Sequence, residues 1–271
     1  MTPEQFIKER TYLAGVTPAT ISWYEWSFKA FAGALESKEA IIERIAQLKG
    51  RGLSHTSINT YLRCINAYLR WLHLEHHREP LKIPWLKEEQ KILQTFSPEQ
   101  ISRIVHWKAH GSRLKALALC ALDTGLRVEE LLTLTRSTVD LDNLHLRVRG
   151  KGNRHRLVPV SLELRKVLFR HLASHQHDLV FCTKDGGKLS QRNLLRDFKS
   201  LCRSLNITGV RCSFHSLRHT FACEYLRRGG NLEFLRRILG HASLETTQRY
   251  LRSLGIEDLR KVHDGLSLLS R

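Results

Sequence analysis

A mainly α fold in two domains, the second carrying a small antiparallel β-sheet, is what this 271-residue sequence predicts. Three observations lead there. Apolar residues recur at three- and four-residue spacing along most of the chain, as helices with one buried face require. A stretch around residues 78–94 breaks that pattern with Pro80, Pro84 and a run of Lys and Glu. Two short alternating apolar runs flank one glycine-rich turn near residue 150, which is a β-hairpin pattern.

Helices are expected to open at Thr2-Pro3-Glu4, Thr17-Pro18 and Ser97-Pro98-Glu99, where a capping hydroxyl precedes Pro at the first helical position. From Thr20 to Leu35 the residues Ile21, Tyr24, Phe28, Phe31 and Leu35 make one buried stripe, and Ile41 to Leu48 continues in the same manner. Between Ser54 and Leu74 a further stripe, Ile58, Leu62, Ile65, Leu69 and Leu72, follows the plausible cap Ser54. These helices make a first domain over residues 1–85. Residues 86–95 form a linker, within the stretch from Arg78 to Gln94 whose prolines and charges leave no sustained stripe. The second domain, 96–271, is helical to about Thr135 and turns to strands at Leu144–Arg149 and Arg156–Val160 around Gly150-Lys151-Gly152-Asn153. Helical stripes then return from Leu162, interrupted at Asp185-Gly186-Gly187 and Gly229-Gly230.

Lys and Arg together number 44 against 26 Asp and Glu, a formal charge of +18 spread along the chain. A surface of that kind calls for a polyanion, and a DNA backbone is the commonest one, because every neutralised phosphate releases condensed counterions. No apolar run approaches the ~20 residues that span a bilayer, and the polar N-terminus lacks a secretory apolar core. A soluble, cytoplasmic protein with no membrane partner is expected. The scattered cysteines 64, 120, 182, 202, 212 and 223 contain no C-x-x-C pair and read as reduced core residues, neither disulfides nor zinc ligands.

The informative segments are Thr124-Gly125-Leu126-Arg127-Val128-Glu129-Glu130-Leu131, the Lys151 turn, His215-Ser216-Leu217-Arg218-His219-Thr220, Leu239-Gly240-His241 and Thr247-Gln248-Arg249-Tyr250. Their order and content resemble the tyrosine recombinase (phage integrase) family across the whole second domain. The helical first portion also looks like that family's core-binding domain, in the simple two-domain, Xer-like arrangement without a preceding arm-binding domain. The resemblance assigns the two catalytic arginines to Arg127 and Arg218, the hairpin lysine to Lys151, the two histidines to His215 and His241, and the nucleophile to Tyr250. It implies the tyrosine recombinase fold and a site-specific recombinase that cuts and rejoins DNA through a 3′-phosphotyrosyl bond. Integration, excision, resolution or mobile-element movement are all within its scope, and no metal, ATP or other cofactor is needed.

The chemistry agrees with those residue types. Attack on a phosphodiester concentrates negative charge on the non-bridging oxygens, which fixed cations stabilise without reorganising. Arginine suits this best, since its planar fork stays charged and contacts two oxygens at once. A tyrosine hydroxyl, with an ordinary pKa of about 10, must lose its proton during attack; His215 is the base or a phosphate ligand. Lys151 on its hairpin would protonate the departing deoxyribose oxygen. His241 would donate to the phosphate, and Glu130, one turn from Arg127, would hold that arginine's orientation.

Each residue also has a plainer reading. Arg127 and Glu130 alone could be a surface pair, and Tyr250 alone a half-buried aromatic. His215 and His219 at i,i+4 could hold zinc, but the segment lacks the Glu of H-E-x-x-H. His219 reads as a packing residue, and Arg149 and Arg154 compete with Lys151 for the hairpin's role. Leu251-Arg252 departs from the small polar residue that often follows the family's tyrosine, which bears on whether Tyr250 is presented in cis or with an exchanged helix.

Lys49, Arg51, Arg63, Arg70, Arg149 and Arg154 are expected to contact phosphates, and Arg192, after the cap Ser190, to reach a groove. The two domains would clamp double-stranded DNA carrying paired inverted repeats, as a homo-tetramer on DNA and a monomer or weak associate when free. The stripe Leu259, Val262, Leu266 and Leu269 marks a C-terminal helix that the resemblance would dock on a neighbouring subunit. A type IB topoisomerase-like relaxation activity and a non-catalytic DNA-binding protein are the alternatives. The latter would typically have lost one of the six residues.

Overall fold

The computed structural model describes residues 2–88, 94–108, 112–150 and 155–266. It divides the chain into two compact units, Met1–Lys91 and Ile92–Arg271.

The first unit is built from α1 (Pro3–Tyr12), α2 (Pro18–Ala30), α3 (Lys38–Gly50) and α4 (His55–His76). Thr2, Thr17, Ser37 and Ser54 each cap the following helix by accepting a backbone N–H three residues on, which satisfies donors the helix leaves orphaned. The expected stripe of α4 is buried throughout. Phe6 lies edge-on to Tyr24, Phe28, Tyr68 and Trp71 at centroid distances of 5.3, 6.0, 5.7 and 5.6 Å, so one ring of α1 is gripped by α2 and α4 together. α2 stops at Ala30 rather than running on to Leu35, and Gly33 takes a left-handed turn at φ 74°.

Part of the stretch read as linker is tied to this unit. The Asn59 side chain exchanges two hydrogen bonds of 2.9 Å with the backbone of Leu86, and Asn66 does the same with Ile83 at 2.8 and 3.0 Å. Ile83 is buried as a result, so the first unit reaches beyond residue 85, and residues 81–88 form a strap along α4. The cause is two asparagine side chains that satisfy an extended backbone, an arrangement with no periodicity to detect. Of the expected linker, residues 89–93 lie outside the described residues.

The second unit opens with α5 (Pro98–Val105), whose capping box joins Ser97 and Gln100, then α6 (Arg113–Thr124) and the short α7 (Val128–Leu132). A three-stranded antiparallel sheet follows in the order β1 (Val139–Asp140), β2 (His145–Arg149), β3 (His155–Pro159). The hairpin register pairs Arg149 with His155 and Val148 with Arg156, so Leu146, Val148, Val158 and Val160 point into the core. β1 carries too few residues to show alternation in the sequence. Next come α8 (Leu162–Ala173), α9 (Gln191–Ser204), α10 (Phe214–Arg227), α11 (Leu232–Leu239), α12 (Leu244–Gln248) and α13 (Ile256–Leu266).

α10 packs against α6, α11 and α13. It is buried along most of its length. Its inner end, with Phe214 and Leu217, joins the main core, while Ala222, Cys223 and Leu226 form a second cluster with Leu235, Leu239 and Tyr250. The cysteines are free thiols, buried except for the half-buried Cys212. α13 rests on α10 of its own chain, with an Arg227–Asp258 ion pair of 3.4 Å, while Ile256 and Leu259 stay 71% and 53% exposed. No helix among the described residues is long and apolar enough to cross a membrane.

Candidate active site

The site grows from the turn after α6. Gly125 adopts φ 63°, a left-handed conformation that costs other residues energy. The turn buries Leu126 and leaves Arg127 as the N-terminal cap of α7. The Arg127 backbone N–H donates to Glu130 Oε2 at 2.9 Å, and its Nη1 donates to Glu130 Oε1 at 3.1 Å and to the Leu239 carbonyl at 3.2 Å. The Arg127 side chain nevertheless keeps 44% of its surface exposed.

Glu130 is buried and gripped from its other side by Arg156 of β3, whose Nη1 and Nη2 donate to Oε1 and Oε2 at 2.9 Å each. Burial pushes the Glu130 carboxyl up, but the hydrogen bonds and charge of Arg156, and then Arg127, outweigh it and hold its pKa below the usual value. It therefore stays an anion among cations.

Arg218 projects from α10 and is 2% exposed. Its Nη1 donates to the Gly125 carbonyl at 2.6 Å, and its Nη2 donates to the Leu239 carbonyl at 2.8 Å and to His241 Nε2 at 3.0 Å. The Leu239 carbonyl, at the negative end of α11, thus joins the two arginines. Burial, with the Arg127 charge beside it, pulls the Arg218 guanidinium down to about 10, still cationic at neutral pH.

His241 follows Gly240, which ends α11 at φ 65°. Because His241 Nε2 accepts from Arg218, its Nδ1 is the protonated nitrogen and donates to Thr247 Oγ1 at 3.0 Å. Burial and the surrounding arginines lower its pKa to about 4, so it is neutral. His215, on the first turn of α10, keeps one side exposed; burial of the rest of the ring, together with the charges of Arg249, Arg218, Arg211 and Arg127, lowers its pKa too. A neutral His215 can accept a proton.

Tyr250 follows α12 and is 2% exposed, lodged in the second cluster. Its ring lies parallel to His241 at 6.2 Å, 5.6 Å from His219, and under the Arg249 guanidinium at 5.7 Å. Burial raises its hydroxyl pKa, opposed by Arg218 and Arg249. His219 sits between Tyr250 and His215, whose ring is 4.1 Å away, and its buried Nδ1 has no hydrogen-bond partner among the described residues.

Arg127, Glu130, His215, Arg218, His241 and Tyr250 therefore meet within one unit, from four separate stretches of chain. Lys151 and Arg154 lie outside the described residues. Arg149 is exposed at the end of β2 and borders a cleft of about 1220 Å³ with Arg127, Arg156, Arg236, Arg237 and His241. In the first unit Lys49, Arg51, Arg63 and Arg70 are exposed, the last two beside Trp71 and Trp85 in a groove of about 810 Å³. Arg192 is exposed on the first turn of α9, whose Ser190 cap makes no side-chain hydrogen bond.

The sequence reading missed Arg156 and Arg249. Arg156 carried one usable signal, since it shares the inward parity of Val158 on β3 and of Val160 just after it, and a charge there needs a partner. Arg249 carried none beyond adjacency to Tyr250. Chemically, the arrangement offers two fixed guanidiniums, two neutral imidazoles and a phenol, a set fitted to holding a phosphodiester while an oxygen attacks it.

Residues 91–255 match the phage integrase family. The chain is 30% identical to the tyrosine recombinase XerA of Thermococcus kodakarensis, covering 99% of this chain and 98% of that one. It is 28% identical to the tyrosine recombinase XerC of Chromobacterium violaceum, covering 95% and 91%. Among solved structures, a XerA recombinase crystal structure matches with TM-score 0.58 at 26% identity over 98% of this chain and 99% of that one. The Tn1549 transposon integrase in complex with circular intermediate DNA matches with TM-score 0.77 at 19% identity, covering 98% and 100%.

Proposed function

The chain belongs to the phage integrase family and is a tyrosine site-specific recombinase; from that premise we propose how its residues divide the reaction. Tyr250 attacks the scissile phosphate and becomes joined to the 3′ side, releasing a 5′-hydroxyl. Arg127 and Arg218 neutralise the non-bridging oxygens, exchanging their Leu239 and Gly125 carbonyl contacts for phosphate. His215 takes the tyrosine proton. His241 turns its protonated nitrogen to the phosphate, Glu130 holds Arg127, and Lys151 protonates the departing oxygen. Because the phosphotyrosyl bond conserves the energy of the broken linkage, the reverse attack by a 5′-hydroxyl rejoins a strand, and exchange of partners between the two steps recombines DNA.

The single observation that carries this reading is one connected set: Arg127 and Arg218 share the Leu239 carbonyl, Arg218 bonds His241, and Tyr250 packs on His241 and on His219, which has His215 against its other side. Tyr250 is buried, so DNA binding must draw the segment after α12 outward by enough to present the hydroxyl. The duplex is the partner in this reading, which the solved complex of Tn1549 integrase with circular intermediate DNA supports. Exposed Lys49, Arg51, Arg63, Arg70, Arg149 and Arg192 would contact it, mostly at phosphates. Paired inverted repeats would bring four copies together in the cytoplasm, with α13 leaving its own α10 for a neighbour; its exposed Ile256 and Leu259 support that exchange. The recombinase names of the relatives do not favour a relaxing or inactive protein.

The test is Tyr250→Phe. It should abolish a denaturant-resistant protein–DNA adduct and leave DNA affinity within about threefold, since a lone phenol adds little to a salt-dependent interface. An adduct that persists removes Tyr250 as nucleophile.

A further inference from the structure

We propose that Arg156 is a positioning residue for cleavage, acting through Glu130 on the phosphate-binding Arg127; this rests on the reading of Arg127 above. The Glu130 carboxylate receives four hydrogen bonds, two from Arg127 and two from Arg156, one of each on either oxygen. That saturates a buried carboxylate. Arg156 is itself immobilised: its side chain is 14% exposed and its Nε donates to the Ile238 carbonyl at 2.8 Å. Gly240 lies against it so closely that a Cβ would stand 2.9 Å from Arg156 Cζ. All three of its guanidinium nitrogens are engaged by Glu130 and Ile238, so it holds Glu130 rather than reaching for phosphate.

Arg218 Nη1 is 4.0 Å from Glu130 Oε2, outside hydrogen-bonding distance. Without Arg156, half of the carboxylate's bonds are gone, and a buried anion left partly unsatisfied turns to the nearest cation not already bonded to it. Here that cation is Arg218. Glu130 would then swing away from Arg127 and occupy an arginine meant for DNA phosphate. Arg156 thus holds Glu130 onto one arginine and off the other. A lysine at 156 could keep the charge but not the two-pronged contact.

The test is single-turnover cleavage by full-length protein of a nicked duplex carrying the target step. Arg156→Gln should slow adduct formation about 10- to 100-fold, the range typical of residues that orient a ligating group. Duplex affinity should hardly change, and Arg156→Lys should recover part of the rate. Adding Glu130→Gln to Arg156→Gln should cause no further loss beyond the slower single variant. A duplex in which sulfur replaces the 5′-bridging oxygen, whose thiolate departs without a proton, should leave the Arg156→Gln deficit intact. Wild-type rates in Arg156→Gln, additive losses in the double variant, or restoration by sulfur would each overturn the proposal; the last would place Arg156 behind the hairpin lysine instead. If Arg156→Gln fails to fold, the partial rate of Arg156→Lys and its insensitivity to sulfur decide the matter. Normal cleavage by Arg127→Ala would instead sink the assignment of Arg127 on which the proposal rests.

Discussion

Replacing Gly125 by alanine should cost the second unit both stability and cleavage. At φ 63° a Cβ enters the left-handed region, and it would stand 2.3 Å from Phe221 Cδ1 and 2.8 Å from Leu239 Cδ2. The backbone costs about 1–2 kcal/mol. The overlap adds about 1–3 kcal/mol, because Phe221 and Leu239 have to shift within a packed cluster. Their sum, about 2–5 kcal/mol, lowers the melting temperature by roughly 5–20 °C for a unit of this size. The same shift moves the Gly125 carbonyl that receives Arg218 Nη1 at 2.6 Å, so adduct formation should fall at temperatures far below the melt. Calorimetry and a single-turnover adduct assay at 25 °C measure the two effects separately. A melt within about 2 °C of wild type, with unchanged adduct formation, would refute both the left-handed turn and its contact with Phe221.

Arg218→Lys should reduce cleavage by about 10²- to 10³-fold, the loss expected for one pre-positioned donor at a developing charge. Duplex affinity should stay near wild type, and a rate within tenfold would deny Arg218 that role. Adduct formation should continue in excess chelator, since guanidiniums supply the positive charge; inhibition reversed by a divalent ion would contradict this. Stability should fall with acid. Burial, followed by neighbouring positive or imidazole groups, depresses the folded pKa values of His219 to about 3 and His241 to about 4. Above about 6.5 both folded and unfolded forms are neutral and the full stability is present. As pH drops from there, only the unfolded chain binds these protons, so each histidine removes up to about 1.4 kcal/mol per pH unit until its folded pKa is reached. Denaturant melts at pH 7 and pH 5 measure the slope, and equal midpoints would refute the burial of these neutral rings.

The helix starts were legible because their cause is local. Thr2, Thr17 and Ser97 satisfy an N–H three residues away, so the residues concerned sit side by side in the sequence. The hairpin was legible for the same reason, since alternation and turn residues are local. The strap over residues 81–88 was not, because Asn59 and Asn66 reach it from 27 and 17 residues away. The Glu130–Arg156 fork was hidden by a separation of 26 residues and by a charge placed on a core-facing strand position.

By itself, then, the sequence determined which residue types stand ready for phosphodiester chemistry, and in what order, because that chemistry demands Arg, Lys, His and Tyr. It also determined the helices and the hairpin, whose signals lie within a few residues. Only the tertiary structure decided that one carbonyl, Leu239, joins the two arginines, that Arg156 completes the grip on Glu130, and that Tyr250 rests inside a hydrophobic cluster. Those features depend on packing between α6, α10, α11 and β3, where burial removes competing water and makes distant residues each other's nearest partners.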